Sequence, residues 1–159
     1  MSLHFHALPT DTVRKLQQGG TDAYGNTPEK NISDGGGNPC RHCLSDIPEG
    51  KGMLILAHRP FAELQPYAEC GPIFLCEEEC DAPSDPSAQP DYFSKRNNVL
   101  LKGYTADERI KYGTGQIVPP DQIRSASETI LSDPDVAFVD IRSATNNCYQ
   151  CRITGSKHL

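Results

Sequence analysis

The stretch PPDQIRSASETILSDPDVAFVDIRSATNNCYQCRI, residues 119–153, decides the fold. Pro119 and Pro120 followed by Asp121 make a helix start, because proline's fixed φ suits a first turn in which its missing N–H costs nothing. Ile123, Ala126, Ile130 and Leu131 then recur at helical spacing until Pro134 ends the pattern. Beyond it the period changes. Val136–Arg142 and Cys148–Ile153 are rich in apolar and β-branched residues, and Ser143–Asn147 between them supplies the Asn and Ser that favour turns. A helix followed by a strand pair predicts helices packed against an antiparallel sheet.

Upstream segments extend the pattern. Val99–Tyr104 and Arg109–Val118 read as a hairpin around the polar connection Thr105–Glu108. The apolar run Met53–His58, bounded by Gly52 and Pro60, suits a central strand, and Ile73–Cys76 suits a shorter one. Leu3–Leu8 suits a first strand, after which Thr10 or Asp11 can cap a brief helix carrying Val13 and Leu16 and stopping at Gly19 and Gly20. Two long polar loops separate these elements. Residues 19–38 include the triplet Gly35-Gly36-Gly37, and residues 77–95 open with acids and prolines that resist both helix and ladder. The expected architecture is α+β, with a mostly antiparallel sheet of about six strands and two or three helices packed on it. Residues 1–159 are expected to form a single domain.

Composition excludes several function classes. A chain of 159 residues can bury a core without metals or disulfides, although 36% hydrophobic content and a mean hydropathy of -0.53 predict substantial loop. Lys and Arg total 15 against 21 Asp and Glu, for a net charge of -6, and no stretch gathers a basic face. That argues against nucleic acid as a partner, since such binding rests on neutralised phosphates. Met1–His6 lacks the charged and apolar regions of an export signal, and no apolar run approaches the roughly 20 residues that span a bilayer. The expectation is a soluble cytoplasmic protein without a membrane partner. Seven cysteines in a reducing compartment disfavour a disulfide framework, and the odd count leaves at least one thiol unpaired within the monomer.

Four ordered motifs carry a family resemblance: Pro39-Cys40-Arg41-His42-Cys43-Leu44, Tyr67 with Gly71-Pro72-Ile73-Phe74, Asp133-Pro134-Asp135-Val136-Ala137-Phe138-Val139, and Cys148-Tyr149. Together they resemble the bacterial family known as domain of unknown function 1203, over a span from about Leu3 to Ile153. The resemblance implies a single bacterial domain and carries no activity to any residue.

The cysteines hold the evident chemistry. Cys40 and Cys43 form a C-x-x-C around Arg41 and His42, and the charge of Arg41, and of His42 when protonated, could lower a thiol pKa and make it reactive. These four are the catalytic candidates. The same spacing suits a metal knuckle, and equally suits buried thiols at the entry to a strand. A redox dithiol would open a helix, whereas here Ser45-Asp46-Ile47-Pro48 reads as a turn. Cys148 and Cys151 repeat the spacing, but along a regular strand they point to opposite faces. Cys148 can join a metal site only from the preceding turn, and Cys151 belongs in the core. Cys70, Cys76 and Cys80 flank Glu77, Glu78 and Glu79, where the simplest expectation is a solvated acidic loop. Cys76 and Cys80 would share a face across one helical turn, and Cys80 could reach Cys40 or Cys43 in space. The metal candidates are therefore Cys40, Cys43, Cys80 and Cys148, with zinc as the cofactor they suit.

His58 and Arg59 follow a central strand and Arg142 ends another, so these could converge on an anionic small molecule, with Tyr67 a further ligand candidate. Gly50-Lys51-Gly52 and Gly113-Thr114-Gly115 lack the rest of a phosphate loop, and neither G-x-S-x-G nor H-E-x-x-H occurs. Three functions stay open. A metal- or small-ligand-binding module centred on Cys40 and Cys43 is favoured over a thiol-dependent enzyme or redox sensor using the same pair. The third is a non-catalytic interaction domain with structural cysteines. Whether the chain is an enzyme is undecided by its sequence.

Overall fold

A computed structural model describes residues 1–156. Its elements follow in the order β1 (Leu3–His6), α1 (Thr10–Gln17), β2 (Glu29–Ile32), β3 (Gly52–His58), β4 (Gly71–Cys76), β5 (Val99–Tyr104), β6 (Gln116–Val118), α2 (Ile123–Leu131), β7 (Phe138–Ser143) and β8 (Tyr149–Gly155). Short 3₁₀ turns at Asp91–Lys95 and Pro120–Gln122 complete the set. The fold is α+β and its named strands all pair antiparallel, as expected. They form two sheets, however, and not one of six strands: a five-stranded sheet in the order β1-β8-β7-β5-β6 and a three-stranded sheet in the order β2-β3-β4. An apolar strand looks alike in either sheet, so periodicity alone could not divide them. No helix among the described residues is long and apolar enough to cross a membrane.

β7 and β8 pair as the quoted stretch predicts, and β1 joins the outer side of β8 with Leu3 opposite Gly155. The helix start at Pro119–Pro120 is present as a 3₁₀ turn that runs into α2. Ile123, Ile130 and Leu131 of α2 are buried in one cluster with Leu3, Phe5, Leu101, Val139, Ile141 and Ile153. The helix lies so close to β5 that a Cβ on Gly103 would stand 2.8 Å from Ile130 Cγ2, which leaves glycine as the residue that fits.

The opposite face of this sheet is charged. Asp140 and Arg152 stand opposite each other on β7 and β8, and the guanidinium grips the carboxylate through Nε at 2.7 Å and Nη2 at 3.0 Å. The same guanidinium lies 3.6 Å from the centre of the Phe138 ring and donates to the Pro60 carbonyl, tying the sheet to the loop after β3.

α1 packs Val13 and Leu16 into a second core with Cys40, Ile47, Leu54, Leu56, Ile73, Leu75 and Tyr149. Two sequence expectations need correction here. Residues 19–38 are not wholly loop, because Glu29–Ile32 form β2, an edge strand with Lys30 opposite Leu54. All four of its residues are exposed, so the backbone ladder holds it and no apolar alternation announces it. The second arm of the Val99–Val118 hairpin is also shorter than expected. It touches at a single Tyr104–Ile110 bridge and resumes at Gln116, because a turn at Lys111–Thr114, with Gly113 at φ 90°, interrupts it.

Candidate metal centre

Cys40–Ser45 closes into a tight turn. The Leu44 N–H donates to the Cys40 carbonyl at 3.0 Å and the Cys40 N–H donates to the Ser45 carbonyl at 2.9 Å. Leu44 takes a positive φ of 54°, a conformation that costs a side-chain-bearing residue about 1–2 kcal/mol, and its side chain is buried in the core. This turn lies against β4. Cys40 forms a parallel bridge with Phe74, and the Arg41 N–H donates to the Phe74 carbonyl at 3.1 Å. The Cys40 sulfur thereby receives two backbone N–H groups, from His42 at 3.4 Å and from Cys76 at 3.3 Å.

Cys76 ends β4, and Cys80 follows after three glutamates. α1 holds this loop from the side. Gln17 donates to the carbonyls of Cys76 and Glu78, each at 2.9 Å, and Arg14 donates to the carbonyl of Cys80 at 2.7 Å. The glutamates turn outward, Glu77 to Lys30 at 3.0 Å and Glu79 to Arg14 at 3.7 Å.

The two turns bring Cys40, Cys43, Cys76 and Cys80 together, with all four sulfurs within 4.8 Å of one another. Cys40 and Cys80 are 3.8 Å apart, and Cys43 and Cys76 are 4.0 Å apart. Four sulfurs placed tetrahedrally at ~2.3 Å from one ion stand ~3.8 Å apart, so the group can hold a metal ion. Without a cation the thiols share their protons: donation from Cys43, Cys76 and Cys80 holds the Cys40 pKa far below the usual thiol range. Hydrogen bonding with Cys40 pushes Cys76 and Cys80 upward in turn. A divalent cation would replace those protons.

Of the catalytic candidates, His42 stands beside the cluster, with Nδ1 3.2 Å from the Cys80 sulfur and Nε2 2.9 Å from the Thr10 hydroxyl. Burial keeps its pKa below the usual imidazole value. With Nε2 accepting from Thr10, the Nδ1–H is left to donate to sulfur. Arg41 is turned elsewhere: its buried guanidinium donates to the carbonyls of Tyr149 at 2.8 Å and Pro39 at 2.6 Å, fastening the turn to β8.

Cys148 lies outside the group, in the turn before β8 with its sulfur 3.8 Å from the Asn146 carbonyl, and Cys76 stands where the sequence suggested Cys148. Cys151 is buried in the first core, on the face that strand alternation assigns it. What singled out Cys76 in sequence was only its C-x-x-x-C spacing to Cys80 at the end of an apolar run. The ligand candidates do not all converge. His58 and Arg142 line one cavity, whereas Arg59 bonds the Phe61 carbonyl and Tyr67 shares a hydroxyl contact of 3.2 Å with Tyr112.

No curated protein and no solved structure matches the chain. A family profile described as protein of unknown function (DUF1203) matches residues 37–155, most of the chain and the whole of the span that contains the four clustered cysteines. The chain belongs to the DUF1203 family.

Proposed function

We propose that the protein is a metal-binding module in which Cys40, Cys43, Cys76 and Cys80 hold one zinc ion. The convergence of four sulfurs from two separate turns within 4.8 Å is the observation that carries this reading. Soft thiolates in a tetrahedral set suit zinc or iron, and four protein ligands leave no open position for water or substrate. Such a site is structural, fastening the turn after Pro39 to the end of β4 and, through Gln17 and Arg14, to α1. It suits a reducing compartment such as the cytoplasm, where thiols stay unpaired. The test is metal analysis of protein purified without chelator or affinity metal. One zinc per chain is expected, and less than about 0.1 ion per chain would sink a tight structural site.

A thiol-based redox role is the second reading, favoured by the 4.0 Å approach of the partly exposed Cys43 and Cys76 sulfurs. It predicts metal-free protein with at least one rapidly alkylated thiol at pH 6, whereas zinc-loaded protein would alkylate slowly at all four positions.

A further inference from the structure

Two arginines on the charged face of the five-stranded sheet differ in how their guanidinium edges are used. Arg152 presents Nε and Nη2 to Asp140 as a fork. Arg142, on β7 and only 4% exposed, uses Nη1 alone, for the Asn147 carbonyl at 3.1 Å and Glu69 at 3.0 Å. Its Nε and Nη2 are buried with no hydrogen-bond partner among the described residues. That pair of N–H groups is the edge that takes a carboxylate or phosphate through two parallel bonds.

Arg142 lines a cavity of about 220 Å³ together with His58, Glu69, Asn146 and Cys148. The His58 Nε2 is likewise buried and without a partner among the described residues, whereas the Tyr104 hydroxyl, which also lacks one, lies beside Arg142 and outside the cavity lining. Burial, aided by Arg41 and Arg152, lowers the His58 pKa to about 4, so its ring is neutral at pH 7 and can present an N–H. Charge points the same way. Among the described residues, Arg142, Arg152 and Lys102 form their ion pairs with Asp140 and Glu69, and Glu69 is divided between Arg142 and Lys102, 3.6 Å away. With Glu108 acting on Arg152 and Arg41 acting on His58, four cations stand against three carboxylates and leave one positive charge to be met. Glu69 itself sits on Nη1, away from the free edge, so its repulsion of an incoming anion is offset by Lys102.

We propose that this cavity binds a small oxyanion, a carboxylate or phosphate group, through Nε and Nη2 of Arg142 with His58 Nε2 as a further donor. The volume falls below the roughly 300–1,000 Å³ of drug-sized pockets, so the ligand is a small ion or the anionic end of a small metabolite. The site is separate from the four cysteines and does not depend on their occupancy.

The experiment is calorimetric titration and thermal melting of the full chain with sodium phosphate and, separately, sodium succinate, each against sodium chloride at matched ionic strength. Saturable binding of either anion at low millimolar concentration is expected, and which one binds tells phosphate from carboxylate. Arg142→Gln and His58→Leu should each weaken it by about tenfold or more. Because Arg142→Gln removes a buried cation from the sheet, the 15N resonance of the Arg142 Nε in the unaltered protein provides a second readout and should move on titration. Metal content is measured on the same samples and should not change. No saturable effect beyond chloride, or equal effects in wild type and His58→Leu with an unmoved Arg142 signal, would overturn the proposal.

Discussion

The imidazole Nδ1 of His42 lies 3.2 Å from the sulfur of Cys80, although 38 residues separate them in sequence. In the tautomer whose Nε2 accepts from Thr10, the Nδ1–H donates to this sulfur, and on the proposed metal site that bond would withdraw charge from the ligand and fix its direction. Replacing His42 with alanine should therefore lower zinc affinity by about 10–100-fold without emptying the site at saturating metal. Competition with a chromogenic chelator measures this, and a smaller loss is expected for Thr10→Val, which only frees the far side of the ring. Unchanged affinity in His42→Ala would remove the histidine from the metal's surroundings.

Cys76 and Cys148 provide a sharper contrast, because the sequence favours one and the structure the other. Cys76→Ser should bring bound zinc well below one ion per chain and lower the melting temperature. Cys148→Ser should keep full stoichiometry and near-wild-type stability, since that sulfur has only a 3.8 Å contact with the Asn146 carbonyl. Metal analysis and thermal melting of the two variants decide between the assignments.

Breaking the fork between Asp140 and Arg152 should be costly. Asp140 is fully buried, and burial pushes its pKa up while Arg152 opposes that shift. Asp140→Ala leaves the Arg152 guanidinium without its carboxylate between the Phe138 ring and the Pro60 carbonyl, and should destabilise the protein by about 3–5 kcal/mol. Urea unfolding of the two proteins gives the difference directly.

Stability should also fall toward acid through His58. Its pKa in the folded protein is about 4, against 6.5 for the free side chain, so the unfolded chain binds the extra proton first as pH drops. The penalty is absent above pH 6.5 and grows by up to about 1.4 kcal/mol per pH unit down to pH 4. His6, lowered to about 4 mainly by burial, acts in the same direction. The stability difference between wild type and His58→Gln, followed by urea unfolding from pH 7 to pH 4.5, should shift against wild type as the solution is acidified. A constant difference would show that His58 does not titrate in this way.

Much of this architecture is legible in the chain because local chemistry speaks for it. Pro119 and Pro120 announce α2, and the change of period after Pro134 announces β7 and β8. Cys151 is correctly placed in the core because alternation along a strand is a strictly local rule. β2 is silent, since Glu29, Lys30, Asn31 and Ile32 are all exposed and only the ladder to β3 orders them. At the site, Cys40 and Cys43 are visible as a motif, whereas their meeting with Cys76 depends on a parallel bridge between Cys40 and Phe74 that no local pattern encodes. Acids on either side of a cysteine suggest solvent, and only the grip of Gln17 and Arg14 on the loop carbonyls turns Cys80 inward.

The bridge between Cys40 and Phe74 has one more consequence. β4 is the last strand of the three-stranded sheet, and the Pro39–Arg41 segment is what lies along its open side. Exposed strand edges recruit other chains, and proteins that carry them need a cover. Here the cover is held by the Arg41–Phe74 backbone bond and, on the proposed metal site, by the cysteines, so a chelator or an oxidant that strips such a site would loosen it and expose a template for self-association. Loss of the proposed ion would then register first as a fall in solubility, ahead of any unfolding of the larger sheet.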